Sequence, residues 1–312
     1  MVPPSPYFPS TDAAGTTVEF TFPNSSSNAP RFGLGYWSIR GLGAPITMML
    51  CAAQQPFTLF LYDILENGDG WTSPYFAAKS TYIKDYKAPL WNLPFCADRT
   101  EGRVICQTNA VFAHVARACG FMGGDDTTMS QCEELLSELY DLRNIMTTFA
   151  YGGPVGDEDE KLAKNTLAEA TKHFKKLEAW LEIQALKSRD REANAKVQKV
   201  DVVHLVNGKM SAPDFHLWEM LDQYQGFCDF YGLDNLFEDL PRLKAFKDGF
   251  AALPENQFYL KSWLHTELPY NNCMARFGSL PGPQSYEHGK SASLATWRKK
   301  GVVAMSPHTS LN

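Results

Sequence analysis

No run of about 18 consecutive apolar residues occurs in this chain, so its sequence offers no transmembrane helix. Residues 1–30 lack both a basic leader and an apolar core, which argues against a secretory signal. The triplet Asn24-Ser25-Ser26 therefore reads as a chance match to a glycosylation acceptor. Positive charge is not in excess: 29 Lys+Arg stand against 35 Asp+Glu, a formal charge of −6. The broad basic footprint of a nucleic-acid binder is missing. The seven cysteines (Cys51, Cys96, Cys106, Cys119, Cys132, Cys228 and Cys273) are odd in number, scattered, and contain no Cys-x-x-Cys pair. Neither a disulfide framework nor a metal site is expected. Small apolar core residues in a reducing compartment, the cytoplasm, are the expectation.

What is present is apolar and aromatic. Hydrophobic residues make up 44% of 312, with 20 Phe, 13 Tyr and 7 Trp, ample for one large domain or two ordinary ones. Residues 1–30 read as an irregular arm, with a weak alternation at Val18–Phe22 that suits a short edge strand. Phe32–Trp37 suits a buried strand. Gly41-Leu42-Gly43 breaks it, and Pro45 opens an apolar helix over Ile46–Gln54. Phe57–Tyr62 is a second strand, followed by a long aromatic connection through 64–90. A hairpin around Arg99–Gly102 and a helix from about Ala110 to Cys119 complete a first domain over 31–123. From 129 to 280 the spacing is helical, with no strand signal between 125 and 270. Residues 187–203 read as a solvated insertion, Ser211-Ala-Pro-Asp214 as a helix start, and 281–312 as a flexible tail.

Five features carry chemistry. Tyr36-Trp37 ends the first strand just before Arg40-Gly41; taken alone, Tyr36 is a core tyrosine. Leu93-Pro94 precedes a strand, and a cis bond there frees backbone groups for a ligand. Gln107-Thr108 opens a helix, whose N–H groups and dipole attract an anion, although taken alone simple capping is the better explanation. Lys79 lies four residues after Tyr75 in the long connection, a usual place for a solvated lysine. Asp141 and Tyr151 share a helix of the second domain, where a solvated acid and a packing tyrosine are the ordinary reading.

Their order and spacing are more specific than any one of them. Leu34-Gly-Tyr-Trp-Ser-Ile-Arg-Gly-Leu42, Asn92-Leu93-Pro94 and Gln107-Thr-Asn-Ala110 closely resemble the signatures of cytosolic glutathione transferases, the mu class in particular. The length of Phe57–Tyr75, the Asp141-to-Tyr151 spacing, and the segments Phe258–Ser262 and Cys273–Gly278 extend the resemblance over about 32–280. It implies a thioredoxin-like α/β domain (β-α-β-α-β-β-α), then an all-α domain, a homodimer, and glutathione as co-substrate with a hydrophobic electrophile. By that resemblance Tyr36 holds the thiolate, and Gln107 and Thr108 take the γ-glutamyl carboxylate. Leu93, before a cis Pro94, pairs its backbone with the tripeptide, while Lys79 and Asn92 lie at the glycyl end. Trp37 borders the same site, Asp141 reaches the partner subunit's ligand, and Tyr151 and Leu42 face the electrophile.

The chain also departs from the mu pattern. Tyr75 stands where that class has a tryptophan, with Trp71 near enough to substitute. The 79–92 segment is longer than expected, Leu90 or Trp91 being the candidate dimer key, and the first helix carries Thr47-Met48-Met49 in place of charges. These departures keep two other readings open: a catalytically weak structural or interaction protein of the same fold, and a prostaglandin-isomerase-like enzyme.

Overall fold

The computed structural model describes residues 16–23, 29–67, 70–152, 158–195, 202–272 and 274–279. The expected tail over 281–312 and most of the arm over 1–30 lie outside these residues. The first domain holds a five-stranded mixed sheet in the order β1 (Thr16–Phe20), β3 (Phe57–Tyr62), β2 (Phe32–Trp37), β6 (Phe95–Asp98), β7 (Arg103–Cys106). Only β2 and β3 are parallel; β1 joins β3 antiparallel, pairing Val18 with Leu59. The arm is therefore not irregular throughout. Its alternating segment extends the sheet, because Val18 and Phe20 find a core there, Phe20 stacking on Phe57 at 4.5 Å.

Both faces of the sheet are covered, and the alternation along each strand shows how. Phe57, Leu59 and Leu61 join the large core that runs into the second domain, whereas Phe60 and Tyr62 join a separate aromatic cluster with Tyr75, Tyr82, Trp91 and Phe95. The first face packs helices α1 (Gly43–Ala52) and α3 (Thr108–Cys119). The second carries α2 (Pro74–Asp85), started by Ser73, whose side chain accepts the Tyr75 N–H, with Pro74 in the first turn. Between β3 and α2 a small hairpin, β4 (Leu65–Asn67) with β5 (Gly70–Thr72), fills part of the long connection. The tight approach of β2 to β6 requires Gly35, since a Cβ there would sit 2.0 Å from the Phe95 ring.

The second domain is helical: α4 (Asp126–Tyr151), α5 (Asp159–Ala195), α6 (Ala212–Tyr231), α7 (Pro241–Ala252) and the short α8 (Gln257–Lys261) and α9 (Trp263–Thr266). Among the described residues it contains no strand, only a single bridge between Val206 and Lys209. Asp214 caps α6 as its sequence position suggests, accepting from the Ser211 N–H at 2.7 Å and from the Leu205 N–H at 2.9 Å. One boundary differs from expectation. The insertion begins as helix, because α5 continues through Lys187 to Ala195 rather than ending near 186.

Candidate glutathione cleft

Tyr36 is the penultimate residue of β2, with its side chain almost wholly buried. Its hydroxyl oxygen accepts the Leu42 N–H at 3.0 Å, so its own proton is available to an acceptor in the cleft. Two glycines make the room: a Cβ on Gly41 would lie 2.7 Å from the Tyr36 hydroxyl, and one on Gly43 would lie 2.6 Å from its ring. Gly41 also has φ +40°, which L side chains seldom adopt. Burial pushes the Tyr36 phenol up; the Arg143 charge and the Leu42 N–H pull the other way without overcoming it. The phenol therefore stays protonated at neutral pH and is a donor.

The loop after Tyr36 is tied to the second domain. Arg40 donates through Nε and Nη2 to Glu219 at 3.0 and 2.8 Å, and through Nη2 to Asp222 at 2.7 Å. Its backbone N–H reaches the Pro269 carbonyl at 2.7 Å, and that of Gly41 the Tyr270 carbonyl at 3.1 Å. The loop bearing Leu42 is thus held by α6 and by the segment after α9.

Beside the same end of β2, where Gly35 pairs with Phe95, the Leu93-Pro94 bond is cis. Gln107 precedes α3 with φ 75° and ψ 127°, a sparsely populated conformation for a residue with a side chain. Such strain costs about 1–3 kcal/mol and gathers at ligand clamps. The Gln107 side chain is exposed and caps nothing, so the capping explanation for this residue loses its support. Thr108 opens α3 and is buried. The sulfur of Cys106 accepts the Asn92 N–H and feels the charge of Lys79, which places Asn92 and Lys79 beside the strand that leads into Gln107; burial nonetheless raises the Cys106 thiol.

The remaining expected residues divide by burial. Tyr75 is a core residue, 1% exposed, with its ring 5.2 Å from that of Trp37 and Lys79 Nζ 5.8 Å from its face; it stands behind the cleft rather than in it. The side chain of Trp71 lies outside the described residues. Exposed Phe76, unforeseen from sequence, leans on Trp37 with centroids 5.7 Å apart. Trp91 is buried among Tyr82, Tyr86 and Phe95 and is excluded as a projecting key, whereas Leu90 is 68% exposed. Asp141 is exposed and lines a groove of about 840 Å³ between α4 and α5, with Asn144, Leu162 and Glu169.

The α4 wall holds the residue that sequence reasoning passed over. Arg143 is 3% exposed and bonds Thr147 on its own helix and the Asn271 side-chain oxygen at 3.2 Å. One signal was readable: Arg143 stands four residues after Leu139 and seven after Leu136, inside the apolar stripe of α4. One turn further along that stripe from Thr147, the Tyr151 hydroxyl accepts the Asn272 N–H at 3.0 Å. Consecutive asparagines of the segment after α9 therefore hold the two α4 residues. Asp98, Glu101 and His114 also gather in the first domain, but Asp98 is engaged by the Arg31 guanidinium at 2.9 Å, which disfavours a cation there.

Comparison with known proteins agrees with this architecture. The model of the glutathione S-transferase C-terminal domain family matches residues 140–263. Human glutathione S-transferase Mu 3 is 25% identical over 248 residues, covering 80% of this chain and 96% of the relative. A class-mu 26 kDa isozyme from Fasciola hepatica is 26% identical over 247 residues, covering 78% and 95%. The solved glutathione S-transferase Blo t 8 superposes with a TM-score of 0.62 at 22% identity, covering 79% of this chain and 99% of that one. The Pi-class enzyme of Onchocerca volvulus gives 0.56 at 22% identity, covering 78% and 99%. Among the described residues no helix is long and apolar enough to cross a membrane. The chain has the glutathione transferase fold and, over some four fifths of its length, the sequence of a protein resembling the mu class of that family.

Proposed function

We propose that this protein conjugates the thiol of glutathione to apolar electrophiles, with Tyr36 stabilising the thiolate. The observation that carries the reading is the buried Tyr36 hydroxyl, which accepts the Leu42 N–H and keeps its own proton to give. A free thiol with pKa about 8.5 is only a few per cent ionised at neutral pH, and lowering it by about two units corresponds to roughly 2.7 kcal/mol. One hydrogen bond to a charged group supplies about 1.5–3 kcal/mol.

The remaining roles follow from placement. Gln107 and Thr108, at the N-terminus of α3, take the γ-glutamyl carboxylate. The Leu93 backbone pairs with the tripeptide, and Lys79 and Asn92 take the glycyl carboxylate beside Trp37. With sulfur fixed at Tyr36, attack is on an electrophile lying against Leu42 and Tyr151. No metal enters this chemistry. The protein acts as a cytoplasmic homodimer, with Leu90 as the inserted key and Asp141 reaching the partner subunit's glutathione; an exposed large apolar side chain on a loop favours such cover.

The test is retention on immobilised glutathione followed by a conjugation assay with 1-chloro-2,4-dinitrobenzene. Retention with turnover supports the reading. Retention without turnover favours a fold used for structure or interaction, and failure of both removes the glutathione cleft.

A further inference from the structure

Glu219 is a wholly buried acid within α6, where the neighbouring Trp218, Met220 and Leu221 are buried too. A carboxylate in such a place is costly unless a cation compensates it, and the resulting pair adds little net stability over an apolar one. The cation comes from the Tyr36 loop. The Glu219 carboxylate accepts from Arg40 Nε at 3.0 Å and from Nη2 at 2.8 Å, while the Gln223 side-chain N–H donates to the same carboxylate at 2.7 Å. Its two oxygens grip the planar guanidinium as a fork, which fixes direction as well as distance.

The grip continues to the hydroxyl. The Arg40 carbonyl accepts the Ala44 N–H at 2.8 Å and closes a turn over Gly41, Leu42 and Gly43. Two of those three residues are glycines, whose backbones are the freest, so the turn takes its place from its anchors: Arg40 and the segment after α9. The Leu42 N–H in this turn is the one that the Tyr36 hydroxyl accepts at 3.0 Å. Accepting a bond polarises a hydroxyl and strengthens the bond it donates. A carboxylate 179 residues beyond Arg40 therefore reaches Tyr36 through one guanidinium and one turn.

We propose that Glu219 is a positioning residue of the thiol side: through Arg40 it sets the turn that aims the Tyr36 hydroxyl at sulfur, so that the helical domain governs the acidity of the bound thiol. The proposal rests on the conjugation reading above. Glu219 touches no reacting atom. What it supplies is the alignment of the Leu42 N–H, and that alignment counts most while sulfur is charged. Asp222 also accepts from Arg40 Nη2, at 2.7 Å, but it is partly exposed and meets that one nitrogen, so it does not set the plane of the guanidinium.

The experiment measures the pKa of the bound glutathione thiol, from the ultraviolet absorbance of its thiolate, and the conjugation of 1-chloro-2,4-dinitrobenzene against pH. The proteins are wild type, Glu219→Gln, Tyr36→Phe and the double variant, with melting curves of each. Glu219→Gln should raise the thiol pKa by about half a unit to one unit and lower kcat at neutral pH about three- to tenfold, with the KM for glutathione near that of wild type. The loss should shrink as pH rises toward the free-thiol pKa. In the Tyr36→Phe background the same substitution should change little, because the hydroxyl it serves is gone. Where Glu219→Gln does not fold, Arg40→Lys, which keeps the charge but not the fork, carries the same cycle. A bound-thiol pKa equal to that of wild type, or the same fold-loss in both backgrounds, makes Glu219 a brace and overturns the assignment while conjugation stands. Wild-type protein without turnover overturns the conjugation reading and this one with it.

Discussion

On the proposed thiol wall of the cleft the decisive contacts are local. The Tyr36 hydroxyl is met by the N–H six residues on, and Gly41 and Gly43 leave space for the ring. On the proposed electrophile wall they are remote: Arg143 is held by Asn271 at a separation of 128 residues, and Tyr151 by Asn272 at 121. The two walls meet through α6. Its Glu219 and Asp222 hold Arg40 at a charged seam, and its His216 lies stacked on Phe112 of α3 at an apolar one. The difference teaches that one wall is an attribute of a short peptide segment and the other exists only after the chain has closed on itself.

The largest effect is expected from cutting the charged seam. Arg40→Ala leaves Glu219 fully buried and Asp222 largely so without their guanidinium, and breaking such a pair costs about 3–5 kcal/mol. A fall in melting temperature on the order of 10 °C follows for a chain of this size. Burial works to raise the Asp222 carboxyl, yet Arg40, with His265 and Lys247, holds it well below the usual carboxylate range. The sign is that of a depressed acid: the stabilisation is present above about pH 4 and fades as the pH drops below it. Melts of both proteins at pH 7 and pH 3 should show the gap narrowing in acid; a gap independent of pH would mean that Arg40 acts by packing alone.

Next in size is Tyr36→Phe, which tests whether the thiol wall works by its hydroxyl. Ring packing is kept, while the donor to sulfur and the acceptor of the Leu42 N–H are lost, so turnover at neutral pH should fall about ten- to hundredfold with glutathione affinity nearly intact. The deficit should shrink as pH rises toward the free-thiol pKa, because thiolate then forms unaided. Conjugation rate against pH for the two proteins decides it. Parallel profiles would leave Tyr36 as a packing residue and shift attention to Ser38 or Tyr151.

The buried Tyr36, the cis Leu93-Pro94 bond and the start of α3 at Thr108 were legible because their signals are contiguous: a tyrosine after an apolar strand, a proline ahead of a second strand, a polar pair at a helix start. The helical half was legible from its spacing. What escaped depends on distance in sequence. Arg143 was passed over because a charge within an apolar stripe acquires meaning only when its partner, in a segment after α9, is known. Tyr75 was placed at the site and Trp91 among the candidate dimer keys because an aromatic in a turn-rich connection has no periodicity to reveal an interior. Both turn inward to complete the cluster that covers the second face of the sheet. The extension of α5 past 186 has the same origin, for a polar stretch reads alike as loop or as solvated helix.

A smaller and more discriminating effect is expected at Gln107. Replacement by Gly or by Ala removes the same side chain, so both should weaken glutathione binding by about tenfold, the worth of one bond to a carboxylate. They differ in the backbone. At φ 75° the glycine variant escapes the strain that the alanine variant keeps, and should be more stable by about 1 kcal/mol. Denaturant midpoints and glutathione titrations of the pair separate clamp from strain. A glycine variant no more stable than the alanine one would mean that the unusual φ costs nothing.

The least effect at neutral pH is expected at the apolar seam. Neither ring nitrogen of His216 has a hydrogen-bond partner; its ring lies 5.1 Å from that of Phe112 at 15°, and burial, with the nearby Arg143 charge, lowers its pKa to about 3. It is therefore neutral and serves as an aromatic disc. His216→Phe keeps the disc and removes two unpaired nitrogens, so stability at pH 7.5 should be unchanged or slightly raised. Acid should separate the proteins. Below the ordinary histidine pKa, near 6.5, the unfolded wild type takes up a proton that the folded protein refuses until about pH 3. Each pH unit in that window therefore costs the wild type up to about 1.4 kcal/mol that the phenylalanine variant keeps. Unfolding free energies at pH 7.5, 6 and 5 should diverge in favour of His216→Phe. Parallel curves would show that the His216 ring is protonated in the fold, and that this seam, like the one at Arg40, is held by charge.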